Sequence, residues 1–116
     1  MVNKLTKSAL DTLIFELNNL EEVQKFKRLE NLVKKDKTLA NKVLELHKVS
    51  KQMTNAKELG LVNAYDQYHD LYQNLLMDIE DNVILQLYLE SSEEVKNILT
   101  LVMETIEFEI KQKINE

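Results

Sequence analysis

Apolar residues recur along this chain at three- and four-residue steps almost from end to end, the period of amphipathic helices. In residues 5–17, Leu10, Leu13, Ile14 and Leu17 mark one face of a first helix. Asn19 followed by Glu22 has the form of a capping box, which predicts a second helix opening there, with Leu20, Val23, Phe26, Leu29 and Val33 inward. Asp36 is a candidate N-cap for a third, carrying Leu39, Val43, Leu46 and Met53 and ending near Leu59. Gly60 stands where that helix would stop, because glycine tolerates the left-handed conformation of a C′ residue.

The next segment contains YDQYHDLY, and its spacing explains its composition. Leu61, Tyr65, Tyr68, Tyr72, Leu75 and Ile79 step by 4, 3, 4, 3 and 4, a heptad-like stripe of little more than two heptads. That length suits a helical hairpin or bundle seam better than a long coiled coil. The tyrosine rings are expected to pack inward with their hydroxyls bonded or wet. Asp78, Asp81 and Asn82 predict a break before the short segment VILQLYLE, and Ser91 with Glu94 predicts a further capping box opening the last helix. That helix carries Val95, Leu99, Val102 and Ile106, with Ile98, Ile110 and Ile114 beside them. The expected fold is all-α, with five to six helices, two or three of them long, in a single domain over residues 1–116.

Composition supports the same class. There is no proline and one glycine, and a sheet protein draws on both residues at its turns. Cysteine is absent, which removes disulfides and any thiolate-held zinc or iron–sulfur centre from this chain's own repertoire. The first twenty residues carry Asp11 and Glu16 within their apolar part, unlike a secretory signal. The longest uncharged run, NVILQLYL, has eight residues, far short of a membrane span. A cytoplasmic location with no membrane partner is the expectation.

Charge adds an asymmetry. Residues 1–57 hold twelve Lys/Arg against seven Asp/Glu, and residues 58–116 hold three against thirteen. Within 25–57 the ratio is ten to three. Such a split steers a partner of opposite sign, or lets two halves or two copies attract. Lys25, Lys27, Arg28, Lys34 and Lys35 form the candidate partner surface. Apolar residues make up 44% of the chain, more than a slender hairpin buries, which points to a homodimer or a complex with another helical protein. Tyr65, Tyr68, Tyr72, Leu75, Val95, Leu99, Val102 and Ile106 are the candidate packing or dimer seam.

Catalytic and cofactor chemistry finds little support. Asp66 and His69 make half of a carboxylate–histidine pattern, but His47 has Leu44 three residues before it, so no second pair exists. Ser8, Ser50, Ser91 and Ser92 lie in no glycine-rich elbow, and one glycine cannot build a phosphate-cradling loop. The reading is a non-enzyme with no catalytic, metal or cofactor-binding residues and no cofactor. The runs KFKR and VKKDK could contact phosphates if they share a face. The chain is acidic overall, however, and few aromatics lie near those lysines to stack on bases. Direct RNA binding through 25–57 is therefore the second reading, as is a self-contained structural dimer.

Three stretches taken in order, EEVQKFKRLENLVKKDKTL, VLELHKVSKQ and NVILQLYLESSEEVKNILTLVMETI, resemble the YlbF/YmcA family of small helical bacterial regulators. The family's Phe–Lys pair and downstream acidic residue match Phe26, Lys27 and Glu30. Its hydrophobic–x–x–aromatic element leading into an acidic–Val helix start matches Ile84, Leu87, Tyr88, Glu94 and Val95. The resemblance spans about residues 9–110 and is nearer the YmcA branch. It implies an all-helical, intertwined homodimer without catalytic residues, acting as an adaptor. The implied partners are related helical regulators and a ribonuclease, in control of messenger RNA maturation, competence, sporulation and biofilm formation. Some assemblies of this type hold iron–sulfur clusters through cysteines, and this chain departs from that pattern because it has none.

Overall fold

A computed structural model of the protein describes the backbone of residues 2–115 and the side chains of residues 7–115. It contains five helices: α1 (Val2–Asn18), α2 (Glu21–Lys35), α3 (Lys37–Glu58), α4 (Val62–Glu80) and α5 (Val83–Ile114). The all-α expectation holds. The longest helices are α3 at 22 residues and α5 at 32. The chain divides into two compact units, one of Leu29–Leu89 and one of Met1–Arg28 with Glu90–Glu116.

In the Leu29–Leu89 unit, α3 and α4 form an antiparallel hairpin. Asp36 opens α3 as expected: its carboxylate accepts from the N–H groups of Thr38 and Leu39 at 3.0 and 3.3 Å, satisfying donors that no helical carbonyl can reach. Gly60 closes it with φ +70°. The Leu61 N–H reaches back to the Ala56 carbonyl at 2.9 Å and the Gly60 N–H to that of Lys57 at 3.2 Å, the paired bonds of a Schellman stop. At the opposite end of the hairpin, Lys42 Nζ lies 3.2 Å from the Asp78 carboxylate. One part of the basic and acidic halves is thus matched within a single chain.

The core of this unit follows the sequence period. Leu29 and Val33 of α2, Leu39, Val43, Leu46, Val49 and Ala56 of α3, Ile79 of α4, and Leu85 and Tyr88 of α5 are buried. Each large aliphatic side chain withdrawn from water in this way stabilises the unit by roughly 1.5–3 kcal/mol. Among the described residues every buried hydrophobic side chain lies in this unit.

The first turns of α5 correct one expectation. Ser91 does not open a helix. Asn82 does, its side-chain oxygen accepting from the Leu85 N–H at 3.0 Å, and VILQLYLE forms the first two turns of one uninterrupted helix. No residue from 83 to 114 lacks an N–H or requires a positive φ, so propagation continues once nucleated. A serine at mid-helix meets no free N–H groups to cap.

In the other unit α2 begins at Glu21, one residue later than a capping box at Asn19 requires. The Gln24 N–H bonds the Leu20 carbonyl at 3.0 Å, which puts Leu20 at the N-cap position. Asn18 braces the turn instead: its carbonyl accepts from the Gln24 amide and its side chain from Lys27 Nζ, the latter at 2.9 Å. Ser91 is the buried polar residue here, 1% exposed, and its hydroxyl finds no hydrogen-bond partner.

Candidate partner-binding surfaces

The basic residues of α2 are all exposed. Lys25, Lys27 and Arg28 fall within one turn, and the bond from Lys27 to Asn18 fixes that lysine at the start of the helix. Lys34 and Lys35 lie in the other unit, where Lys34 Nζ sits 3.2 Å from the Glu30 carboxylate, one turn back on the same helix. An exposed pair of this spacing contributes about 0.3–0.5 kcal/mol, so Lys34 is easily released to another anion.

Tyr65, Tyr68, Tyr72 and Leu75 of α4 are half-buried, and Ile79 completes their stripe at 2% exposure. Tyr65 lines a cavity of about 140 Å³ at the hairpin turn with Ala56, Lys57, Gly60, Leu61 and Val62. Its ring lies 5.8 Å from that of His69 at an interplanar angle of 31°. Tyr68 lines a neighbouring hollow with Ala56 and Leu59. Tyrosines at this depth commonly place the apolar ring inward and leave the hydroxyl in reach of water.

A second cavity, about 280 Å³, lies among α2, α3 and the first turns of α5. Val33, Ala40, Val43 and Leu44 give it an apolar wall, and Glu30, Lys34, His47 and Tyr88 supply its polar groups. Burial raises the Tyr88 pKa above that of an ordinary phenol, the Glu30 charge adds to the shift, and Lys34 opposes it. Tyr88 therefore stays a neutral hydrogen-bonding group at physiological pH. Periodicity alone did not reveal this cavity. Its signal lay in Glu30 and Tyr88, two positions of the family pattern that the fold brings to one wall.

The distal half of α5 is differently placed. Val95, Ile98 and Val102 are half-buried, whereas Leu99, Met103, Ile106, Ile110 and Ile114 are exposed. Leu101 and Phe108, seven residues apart and on the opposite face, are 65% and 61% exposed. In the same unit α1 exposes Leu10, Ile14 and Phe15. Apolar surface this extensive on one helix is of the kind found at protein-binding surfaces. Sequence reading identified the Val95–Ile106 stripe but missed the Leu101/Phe108 pair, whose seven-residue spacing was the available clue.

Among the described residues no three His, Asp or Glu side chains converge into a group able to hold a metal ion. No described helix is long and apolar enough to cross a membrane.

The sequence model of one protein family, described as control of competence regulator ComK, YlbF/YmcA, matches residues 7–111. The chain belongs to the YlbF/YmcA family. That membership assigns it a regulatory role and stands at the level of the family, whose description carries both branch names. The match takes in all three helices that line the Tyr88 cavity, the basic face of α2 and nearly all of the exposed α5 stripe. No curated protein matches the chain.

Proposed function

We propose that this YlbF/YmcA protein is a non-catalytic adaptor that regulates through protein–protein contacts, working as a homodimer that captures related helical regulators. The observation that carries this reading is the distal half of α5, where Leu99, Met103, Ile106, Ile110 and Ile114 stand exposed in a row. Exposing such a row to water is unfavourable by about 25 cal/mol per Å² of apolar surface, and a second helix removes that cost. Of the candidate seam residues, Leu99 and Ile106 lie on this row, and Val95 and Val102 are half-buried beside it. The basic turn of Lys25, Lys27 and Arg28 is the proposed landing surface for a negatively charged partner. The process we propose for the adaptor is ribonuclease-dependent control of messenger RNA, upstream of competence, sporulation and biofilm formation; of these the family's description names control of competence alone.

The test combines light scattering on the purified protein with co-purification from its host, with and without nuclease. A dimer that retains small helical relatives or a ribonuclease after nuclease treatment supports the adaptor. Partners lost on nuclease treatment would instead make RNA the bridge. Charge reversal at Lys25, Lys27 and Arg28 is expected to weaken capture while costing little stability, because the three side chains are exposed and what they give up is the Lys27–Asn18 bond. Equal capture at low salt would remove this surface from the proposal.

A further inference from the structure

We infer that the cavity beside Tyr88 binds a small apolar α-amino acid, its ammonium and carboxylate groups held at Glu30 and Lys34 and its side chain against the aliphatic wall. The inference goes beyond the adaptor reading and does not depend on it. Every residue lining the cavity belongs to the Leu29–Leu89 unit, and none to the exposed half of α5.

The lining has a depth and a mouth. Val33, Val43 and Tyr88 are buried, Glu30 and Ala40 are half-buried, and Lys34, Leu44 and His47 are exposed. Glu30, Val33 and Lys34 share one face of α2, and Ala40, Val43, Leu44 and His47 share one face of α3. Each helix thus sets a valine deep in the cavity and charged or polar groups nearer to water. A volume of about 280 Å³ lies just below the roughly 300–1,000 Å³ of sites for drug-sized ligands, so the guest is small. Its branched or aromatic side chain would leave water together with Leu44, now 66% exposed, and this supplies the apolar part of binding.

The charges select the head group. Lys34 Nζ stands 3.2 Å from the Glu30 carboxylate. A simple carboxylate would gain Lys34 but be repelled by Glu30, and a simple amine would gain Glu30 but be repelled by Lys34. An α-amino acid carries both charges on one carbon, at a separation comparable to that of the pair. Laid head to tail beside it, the ammonium group meets Glu30 and the carboxylate meets Lys34, and the pair itself need not break. Both charges also act on the Tyr88 phenol, so a neutral hydroxyl lies near the same head group. The first residue of a peptide lacks the carboxylate and the last lacks the ammonium, which leaves the free amino acid as the match.

The test is an NMR titration of the isotopically labelled full chain with four probes. L-Leucine carries every feature; isocaproate lacks the ammonium group, leucinamide lacks the carboxylate, and glycine lacks the side chain. Leucine is expected to saturate, with amide shifts in α2, α3 and the first turns of α5, and the other three to bind several-fold more weakly. Glu30→Gln should weaken leucine and bring isocaproate level with it, and Lys34→Gln should do the same for leucinamide. Both variants alter a pair at the solvent boundary, and circular dichroism checks that they fold. Isocaproate or leucinamide binding the wild type as tightly as leucine would overturn the head-group assignment. Folded variants that rank the four probes as the wild type does would refute the role of the pair. No saturable shift at millimolar leucine, or shifts centred elsewhere, would overturn the site, and that is the outcome expected if another protein molecule fills the cavity.

Discussion

Replacing Ser91 with alanine should raise the stability of the protein. The hydroxyl is 1% exposed and has no hydrogen-bond partner, so on folding it gives up its bonds to water without replacement. An unsatisfied buried polar group of this kind costs about 1–3 kcal/mol. Alanine is also the better helix former, by up to about half a kcal/mol at an interior position. Against these gains stands the space left by one oxygen atom, smaller than a methyl group and worth less than about 1 kcal/mol. The balance is a gain of roughly 1–2 kcal/mol. The assay is urea unfolding followed by circular dichroism, with wild type and variant at one protein concentration because association shifts apparent stability. The midpoint should rise with the slope unchanged. Leu85→Ala, at a side chain 0% exposed, is the counter-example and should lose about 2–5 kcal/mol. A loss of 1 kcal/mol or more in Ser91→Ala would mean that the hydroxyl is bonded in the folded protein, and the argument would fail.

Three further outcomes follow from the geometry. Gly60→Ala should lose about 1 kcal/mol through backbone strain alone: its φ is +70° and an added Cβ meets nothing within 4 Å. Gly60→Asn, measured by the same unfolding curves, should lose less. Asp36→Ala removes the bonds to Thr38 and Leu39 and should lose about 1 kcal/mol, while Asp36→Asn retains most of the stability. The folded pKa of Tyr88 lies above its ordinary value of 10.0, so the stability linked to this phenol is fully present below that pH. It is lost as pH rises through the folded value, since the unfolded chain releases the proton first. Unfolding midpoints taken up the alkaline range should therefore fall less steeply in Tyr88→Phe than in wild type.

The elements best read from the sequence were those in which local chemistry and tertiary packing agree. Asp36 and Gly60 bound α3 because a free carboxylate and a residue tolerant of positive φ serve those roles in any context. Val43 and Leu46 of α3 and Ile79 of α4 are buried, as the three- and four-residue steps of their helices predict. Errors arose where a motif depends on register. Asn19 and Glu22 have the right spacing, yet α2 starts one residue later, held by Asn18. Ser91 and Glu94 also have the right spacing, but a capping serine needs a preceding break, and Asn82 had already supplied it nine residues earlier. The Tyr88 cavity joins residues of the consecutive helices α2 and α3 to Tyr88, far along the chain on α5, and periodicity within one helix cannot assemble it. The exposed α5 stripe was legible as apolar, but that it lies on one unbroken helix from Val83 to Ile114 was not.

The three-residue turn around Gly60 also bears on the order in which the molecule is made. The residues that meet across the α3–α4 hairpin nearest this turn are close neighbours along the chain, so little loop-closure entropy is lost in bringing them together. Contacts of such low sequence separation form on the fast end of the folding timescale. The hairpin can therefore zip outward from Gly60 to the Lys42–Asp78 pair in a first-order step whose rate is indifferent to how much protein is present. Any step that covers the α5 stripe with a second molecule is second order and slows on dilution. A newly synthesised chain therefore completes its hairpin ahead of any such second-order step, at a rate that the level of expression does not alter.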